Sequence, residues 1–377
     1  MNTRSPESTK ASATDEQVGE MPWMLDAHLD LAMNALEWNR DLTRPLTELR
    51  ASEAGLTDRP DRGRGTVCFP ELRRAGVRLC VATQIGRVDA TGHSRVAAWQ
   101  SSAQAWAMTQ GQLAWYRQME ADGELVSIRD RTSLERHLQS GESARASRAP
   151  IGYILSLEGA DSILTLGHLE RAHTDGLRAL GLAHYGPGIH AQGTDATGGL
   201  TARGRDLLQE LHRLGMILDL THLSDESFWE AVEAYPGPVW ASHQNCRTLV
   251  PHQRQWTDDQ FQEVIRRDGV IGVVLDGWML SPQWVRGQTT PQSAQLHLDA
   301  LVDHIDHICQ IAGNARHVGI GSDLDGAFGT EQTPLEVDSI ADLRRLEPLL
   351  RARGYSAEEV EGIAHGNFLR FLREVWR

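Results

Sequence analysis

His28 and Asp30 stand two residues apart in MPWMLDAHLDLAMNAL (21–36), a run that is otherwise almost wholly apolar. On a strand, residues i and i+2 point to the same side, so an imidazole and a carboxylate at this spacing can reach one metal ion. The same His-x-Asp spacing recurs at His173/Asp175, His297/Asp299 and His304/Asp306, so context has to decide. The last two pairs fall in QLHLDALVDHIDHICQIAG (295–313), where Leu298, Leu301, Val302, Ile305, Ile308, Cys309 and Ala312 recur at helical spacing. Their His and Asp residues are expected on a solvated helix face, and His173, in another helical pattern, reads the same way.

Six short apolar runs carry most of the remaining polar candidates at or just beyond their ends. The first delivers His28 and Asp30; later runs end in Glu158, His184, His222, His243 and Asp323. A His after a strand is more often a hydrogen-bonded turn residue than a ligand, and Glu158 and Asp323 each precede turn-forming residues. Jointly, however, four imidazoles and three carboxylates gathered at strand ends would leave many buried polar groups needing partners. A metal centre supplies them. His, Asp and Glu without Cys suit zinc or a similar ion. Two ions about 3.5–4 Å apart can hold a hydroxide between them and clamp a hydrolytic transition state.

These residues converge only if the strands do. The predicted strands are 23–28, 77–84, 151–158, 177–184, 216–222, 238–243, 269–276 and 317–323, with helical patterns between most of them and Thr or Ser caps opening several. Eight strands alternating with helices predict a (β/α)₈ TIM-type barrel, in which the chemistry lies at the C-terminal ends of the strands. Residues 21–377 are expected to form this single domain. A helical insertion is expected at 94–149, and a final helix from Ser356 is expected to close the barrel. Residues 1–20 are polar and read as a disordered tail without the apolar segment of a secretory signal.

The chain has 377 residues, and 51 acidic against 37 basic side chains give a net charge of −14. That balance excludes an electrostatic nucleic-acid surface. No apolar run approaches a membrane span. Four scattered cysteines, Cys68, Cys80, Cys246 and Cys309, read as free buried thiols, so a cytoplasmic protein is expected, with no membrane partner. GIGSDLDG (319–326) matches neither a dinucleotide nor a nucleophile-elbow motif. The Gly-rich stretch 185–204 lacks a Walker lysine and is expected to be a mobile loop over the site.

Several ordered segments resemble the renal or membrane dipeptidases, binuclear zinc peptidases on an amidohydrolase-like barrel. They are LEGADSI with LERAHTDGLRALGLAH (157–184), GLTARGRDLLQELHRLGMILDLTHLSD (199–225), PVWASHQNCRTLVPHQRQWTDDQ (238–260) and HVGIGSDLDG (317–326). His173 stands where that family usually has Tyr, and Ala183 where it has Thr. The resemblance implies two Zn²⁺ per chain, one on His28 and Asp30, the other on His222 and His243, with Glu158 bridging. It implies Asp323 as the acid/base, His184 as the oxyanion stabiliser and Arg254 as the group engaging the substrate's carbonyl or carboxylate side. It further implies a homodimer and hydrolysis of dipeptides, including those with a D-residue second. Two alternatives stand beside it: another binuclear amidohydrolase acting on a cyclic or non-peptide amide or lactone, and a catalytically silent binding barrel. After the seventh strand the family's Asn-Phe-Tyr run is replaced by Asp276, Gly277 and Trp278. The added carboxylate is expected to favour a substrate with a free amine.

Overall fold

The computed structural model describes residues 22–89, 98–143 and 149–377. The predicted tail and part of the predicted insertion lie outside these residues. Eight parallel strands form the frame: β1 (Met24–Leu29), β2 (Val77–Ile85), β3 (Ile151–Glu158), β4 (Leu177–Gly181), β5 (Ile217–Asp219), β6 (Val239–Trp240), β7 (Ile271–Val273) and β8 (Val318–Ile320). Their spatial order is β7-β8-β1-β2-β3-β4-β5-β6. Ala241, just past β6, pairs in parallel with Ile271 of β7 and closes the ring. The Ala241 N–H donates to Val270 O at 3.0 Å, and the Gly272 N–H donates to Ala241 O at 2.9 Å. This is a (β/α)₈ barrel.

β1 and β3 are buried along their whole length, which is why they read as apolar runs without alternation: one face packs into the barrel and the other under helices. The longest register joins β2 to β3 through seven pairs, from Leu79 opposite Gly152 to Ile85 opposite Glu158. Helices Ala202–Arg213, Asp225–Ala234 and Asp258–Arg266 are capped by the side chains of Thr201, Ser224 and Thr257, as their sequences predict. The insertion holds helices Ser102–Ala121 and Arg131–Ser143 and, between them, an unpredicted strand, Leu125–Ser127, which pairs with the start of β3. From the Ser356 cap the last helical run passes through one π turn, Gly362–Gly366, and ends at Val375. Among the described residues no helix is long and apolar enough to cross a membrane.

Two expectations need correction. The later strands are shorter than predicted, because regular pairing stops about three residues before the chain reaches the polar rim. His304 does not lie on a solvated face: it is 1% exposed, and its Nδ1 accepts from the Cys246 N–H at 3.0 Å. The helical stripe around it is therefore wider than its apolar residues alone suggest. All four cysteines are unpaired, three of them buried.

A buried ionic network ties the loop after β8 to the segment between β1 and β2. Arg40 bonds Glu53 at 2.8 Å, Asp61 at 3.0 Å and the Asn34 side-chain oxygen at 2.8 Å, with Asp325 at 3.6 Å. Asp325 in turn accepts from the N–H groups of Thr66 and Val67. Arg40→Met would strand these buried carboxylates, and it is expected to cost about 3–5 kcal/mol in urea unfolding. The control Arg44→Met, which breaks an exposed pair with Glu48, is expected to cost less than about 1 kcal/mol.

Candidate metal centre

Glu158, the last residue of β3, lies at the centre of the rim. Its Oε1 is 3.2 Å from Nε2 of His222, 3.4 Å from that of His243, 3.7 Å from that of His28 and 3.8 Å from that of His184. The chain can place the carboxylate there because Gly159 leaves at φ 78°, a left-handed conformation that glycine adopts freely. A Cβ at Gly159 would also press on the His184 backbone N and Cβ, at 3.4 and 3.3 Å.

The other side chains arrive by a common route. His184, His222, His243 and Asp323 each stand three residues beyond the last residue of β4, β5, β6 and β8. His222 and Asp323 hold φ of 69° and 57°. Non-glycine residues reach that region at a cost, and they do so mainly where surrounding structure imposes it at functional sites. The predicted residues thus come together, including Arg254, which the resemblance alone had marked.

Among the described residues, three overlapping groups have donor atoms within 4.8 Å of one another: His28, Asp30 and Glu158; Glu158, His222 and His243; and His28, His243 and Asp323. The first two share Glu158. Burial drives His28 down to about 3, Arg254 adding to the effect, and it lowers His184, His222 and His243 as well. The imidazoles are therefore neutral, each with a lone pair to offer. Burial, reinforced by the neighbouring Asp30, pushes Glu158 and Asp323 well above the carboxylate range. His222 Nε2 and His243 Nε2 face each other at 3.0 Å, and His28 Nε2 is buried with no hydrogen-bond partner among the described residues. Neutral nitrogens and carboxylates crowded together at this distance fit one or more N/O-ligated cations.

A surrounding shell, which sequence reasoning missed, fixes the ring orientations. Ser242 Oγ lies 3.2 Å from His28 Nδ1 and 2.9 Å from His243 Nδ1, so one hydroxyl orients a ring from each shared group. Thr194 Oγ1 is 3.0 Å from His222 Nδ1, and Thr83 bonds Asp30. Asp26 accepts from the N–H groups of His28 and Ser322, and Asp219 accepts from those of Thr221 and Ser242. Only position signals these residues: Asp26 and Asp219 precede a candidate ligand by two and three residues in the chain, and Ser242 adjoins His243.

Arg254 donates to Gln244 Oε1 at 2.6 Å and to His243 O at 2.9 Å, and its Nε is buried without a partner. The cluster opens into a cavity of about 630 Å³, whose walls include Tyr185, Arg254, Asp276, Trp278 and Arg286. The Gly-rich stretch supplies part of this wall. It is pinned onto itself through Gly186 N–H to Thr194 O at 2.7 Å and Thr194 N–H to His184 O at 2.9 Å.

The sequence profile of a family described as membrane dipeptidase, peptidase family M19, matches residues 16–377. An uncharacterised protein of Klebsiella pneumoniae from the pqqA 5' region is 32% identical over 236 residues, 60% of this chain and 83% of that protein. An uncharacterised dipeptidase of Schizosaccharomyces pombe is 32% identical over 235 residues, 61% of this chain and 54% of that one, so the match spans about half of that relative. A metallopeptidase from Rhodobacter sphaeroides, solved with a phosphinate mimic of the dipeptide L-Ala-D-Ala, shares the fold at a TM-score of 0.75 and 21% identity, covering 95% of this chain and 100% of that one.

The Ser242 contacts generate a prediction. Ser242→Ala removes the acceptor common to His28 and His243 without touching a candidate ligand. Divalent-metal affinity, measured by competition with a chromogenic chelator, is expected to fall about 10–100-fold while the fold is retained.

Proposed function

Because the chain belongs to the membrane dipeptidase family, peptidase family M19, we propose that it is a zinc-dependent dipeptidase. The observation that carries this reading is Glu158 Oε1 within 3.2–3.8 Å of four imidazole nitrogens on the floor of a cavity large enough for a small ligand. His28, Asp30 and Glu158 would hold one ion, and Glu158, His222 and His243 the other. When bound, the ions supply Lewis-acid polarisation of the scissile carbonyl and a nucleophile derived from water at neutral pH.

The chain's own groups do the rest. Asp323, 3.7 Å from His28 Nε2, holds the proton of the attacking water and delivers it to the departing amine nitrogen. His184, kept neutral by burial and with its Nδ1 unpartnered, donates from its ring N–H to the oxygen on which charge develops. Arg254 binds the substrate's carboxylate side through a guanidinium already fixed by Gln244 and the His243 carbonyl. The L-Ala-D-Ala mimic bound by the Rhodobacter relative supports including dipeptides with a D-residue second. The four free cysteines support a reducing, cytoplasmic setting.

Elemental analysis of protein purified without chelator is expected to give about two zinc ions per chain, as a two-metal site requires, and a dipeptide panel is expected to show turnover. A full metal complement with turnover of a cyclic amide or lactone but of no dipeptide would overturn the dipeptide assignment. His222→Asn, in a residue type that tolerates the left-handed backbone, is expected to lose metal. Asp323→Asn is expected to keep both ions and lose about 10²–10⁴ in kcat; full turnover would remove Asp323 from the mechanism.

A further inference from the structure

We propose that Asp276 recognises the free α-ammonium group of the substrate's first residue, an inference that rests on the dipeptidase reading above. β7 ends at Val273, so Asp276 stands three residues beyond its strand, the same offset that brings His184, His222, His243 and Asp323 to the rim. The seventh strand therefore delivers a carboxylate to the place where its neighbours deliver the reacting groups. Asp276 belongs to none of the three donor groups, so the cations do not account for it.

Its surroundings point to a missing donor. Asp276 lines the cavity and is 9% exposed, and its Oδ1 is buried with no hydrogen-bond partner among the described residues. A buried acceptor in that state costs free energy that a donor would recover. Burial pushes the carboxyl up to about 6, opposed by the field of Arg286 and by the approach of the Trp278 N–H groups, of which the indole Nε1 has itself no hydrogen-bond partner among the described residues, so it is ionised near neutral pH. Arg286 acts through that field: its guanidinium stacks over Trp278 at 3.8 Å and donates to the Tyr185 hydroxyl at 3.1 Å.

The ligand chemistry follows from position. In a dipeptide the α-nitrogen is two bonds from the scissile carbonyl carbon, so its subsite must adjoin the reacting groups. β7 pairs with β8, and Asp276 and Asp323, each three residues beyond its strand, line the same cavity. An ammonium beside Asp276 gains a charge-assisted hydrogen bond. At the opposite charge extreme, Arg254 offers a guanidinium to the substrate's carboxylate side.

The test compares the zinc-loaded wild type with Asp276→Asn and Asp276→Ala, each checked for metal content and melting temperature. Binding of two non-hydrolysable phosphinate dipeptide mimics, one with the α-amine and one with hydrogen in its place, is measured by calorimetry. The wild type is expected to bind the amine-bearing mimic at least tenfold more tightly, and either variant to bind the two within about twofold. On L-Ala-D-Ala, kcat/KM is expected to fall in the variants by the same factor. Preference for the amine undiminished in both variants would overturn the inference while leaving the dipeptidase reading intact. A loss confined to dipeptides with Lys first would also overturn it, because the carboxylate would then be reading a side chain. A metal-loaded wild type that hydrolyses no dipeptide and binds neither mimic would overturn the dipeptidase reading and this inference together.

Discussion

The rim of this barrel is organised around one carboxylate placed among four imidazoles where water has little access. Burial strips charge from both partners: it lowers His28, His184, His222 and His243 and raises Glu158 and Asp323. Left to themselves, these groups settle as neutral acids and bases with lone pairs facing one another, a costly arrangement in a low-dielectric interior. A bound cation inverts that logic, since the ion becomes the largest local charge and favours ionised carboxylates and neutral imidazoles. The same burial that makes the apo cluster unfavourable makes it a strong N/O ligand set.

Such a cluster persists only if the backbone overrules the preferences of its members. The barrel does this with a repeated device. Asp26 on β1 and Asp219 on β5 each spend a carboxylate oxygen on two backbone N–H groups, one on the residue's own strand and one across to the neighbour, so the strand ends cannot splay. Between β6, β7 and β8 the carbonyl of Ser242 points inward, and a Cβ on Gly272 or Gly321 would lie 2.1 or 1.8 Å from that oxygen. Only glycine allows the approach, and it brings Ser242 to the position from which its hydroxyl reaches two histidines. His222 and Asp323 then occupy left-handed backbone, with the surrounding frame holding the strain.

The cavity above the rim has a polarity that the whole-chain charge hides. The chain carries a net −14, yet Arg87, Arg254 and Arg286 line the same space as Asp276 and Asp323. Basic and acidic side chains carried by different loops thus share one small cavity. Specificity on this scaffold therefore resides in the residues that follow each strand, while the strands themselves are interchangeable supports.

Strand number, barrel class and seven of the eight candidate site residues were legible in the linear sequence. Each strand is a short apolar run, and each of these candidates is a polar residue placed where that run stops, so burial and chain direction together mark it. Arg254 was not legible this way: it lies in a loop, PHQRQW, with no periodicity, and resemblance alone singled it out. Also invisible were Ser242, Thr194, Thr83, Asp26 and Asp219, ordinary polar residues whose partners lie on other strands, up to 296 residues away for Asp26 and Ser322. Local hydrophobic pattern decides what becomes strand and what protrudes from it, and so marks most of the residues that reach the rim. Three facts escape that pattern: Glu158 is central, one serine orients two histidines, and Asp276 Oδ1 has no hydrogen-bond partner among the described residues. Those facts depend on register and ring closure between distant segments, which no local pattern encodes.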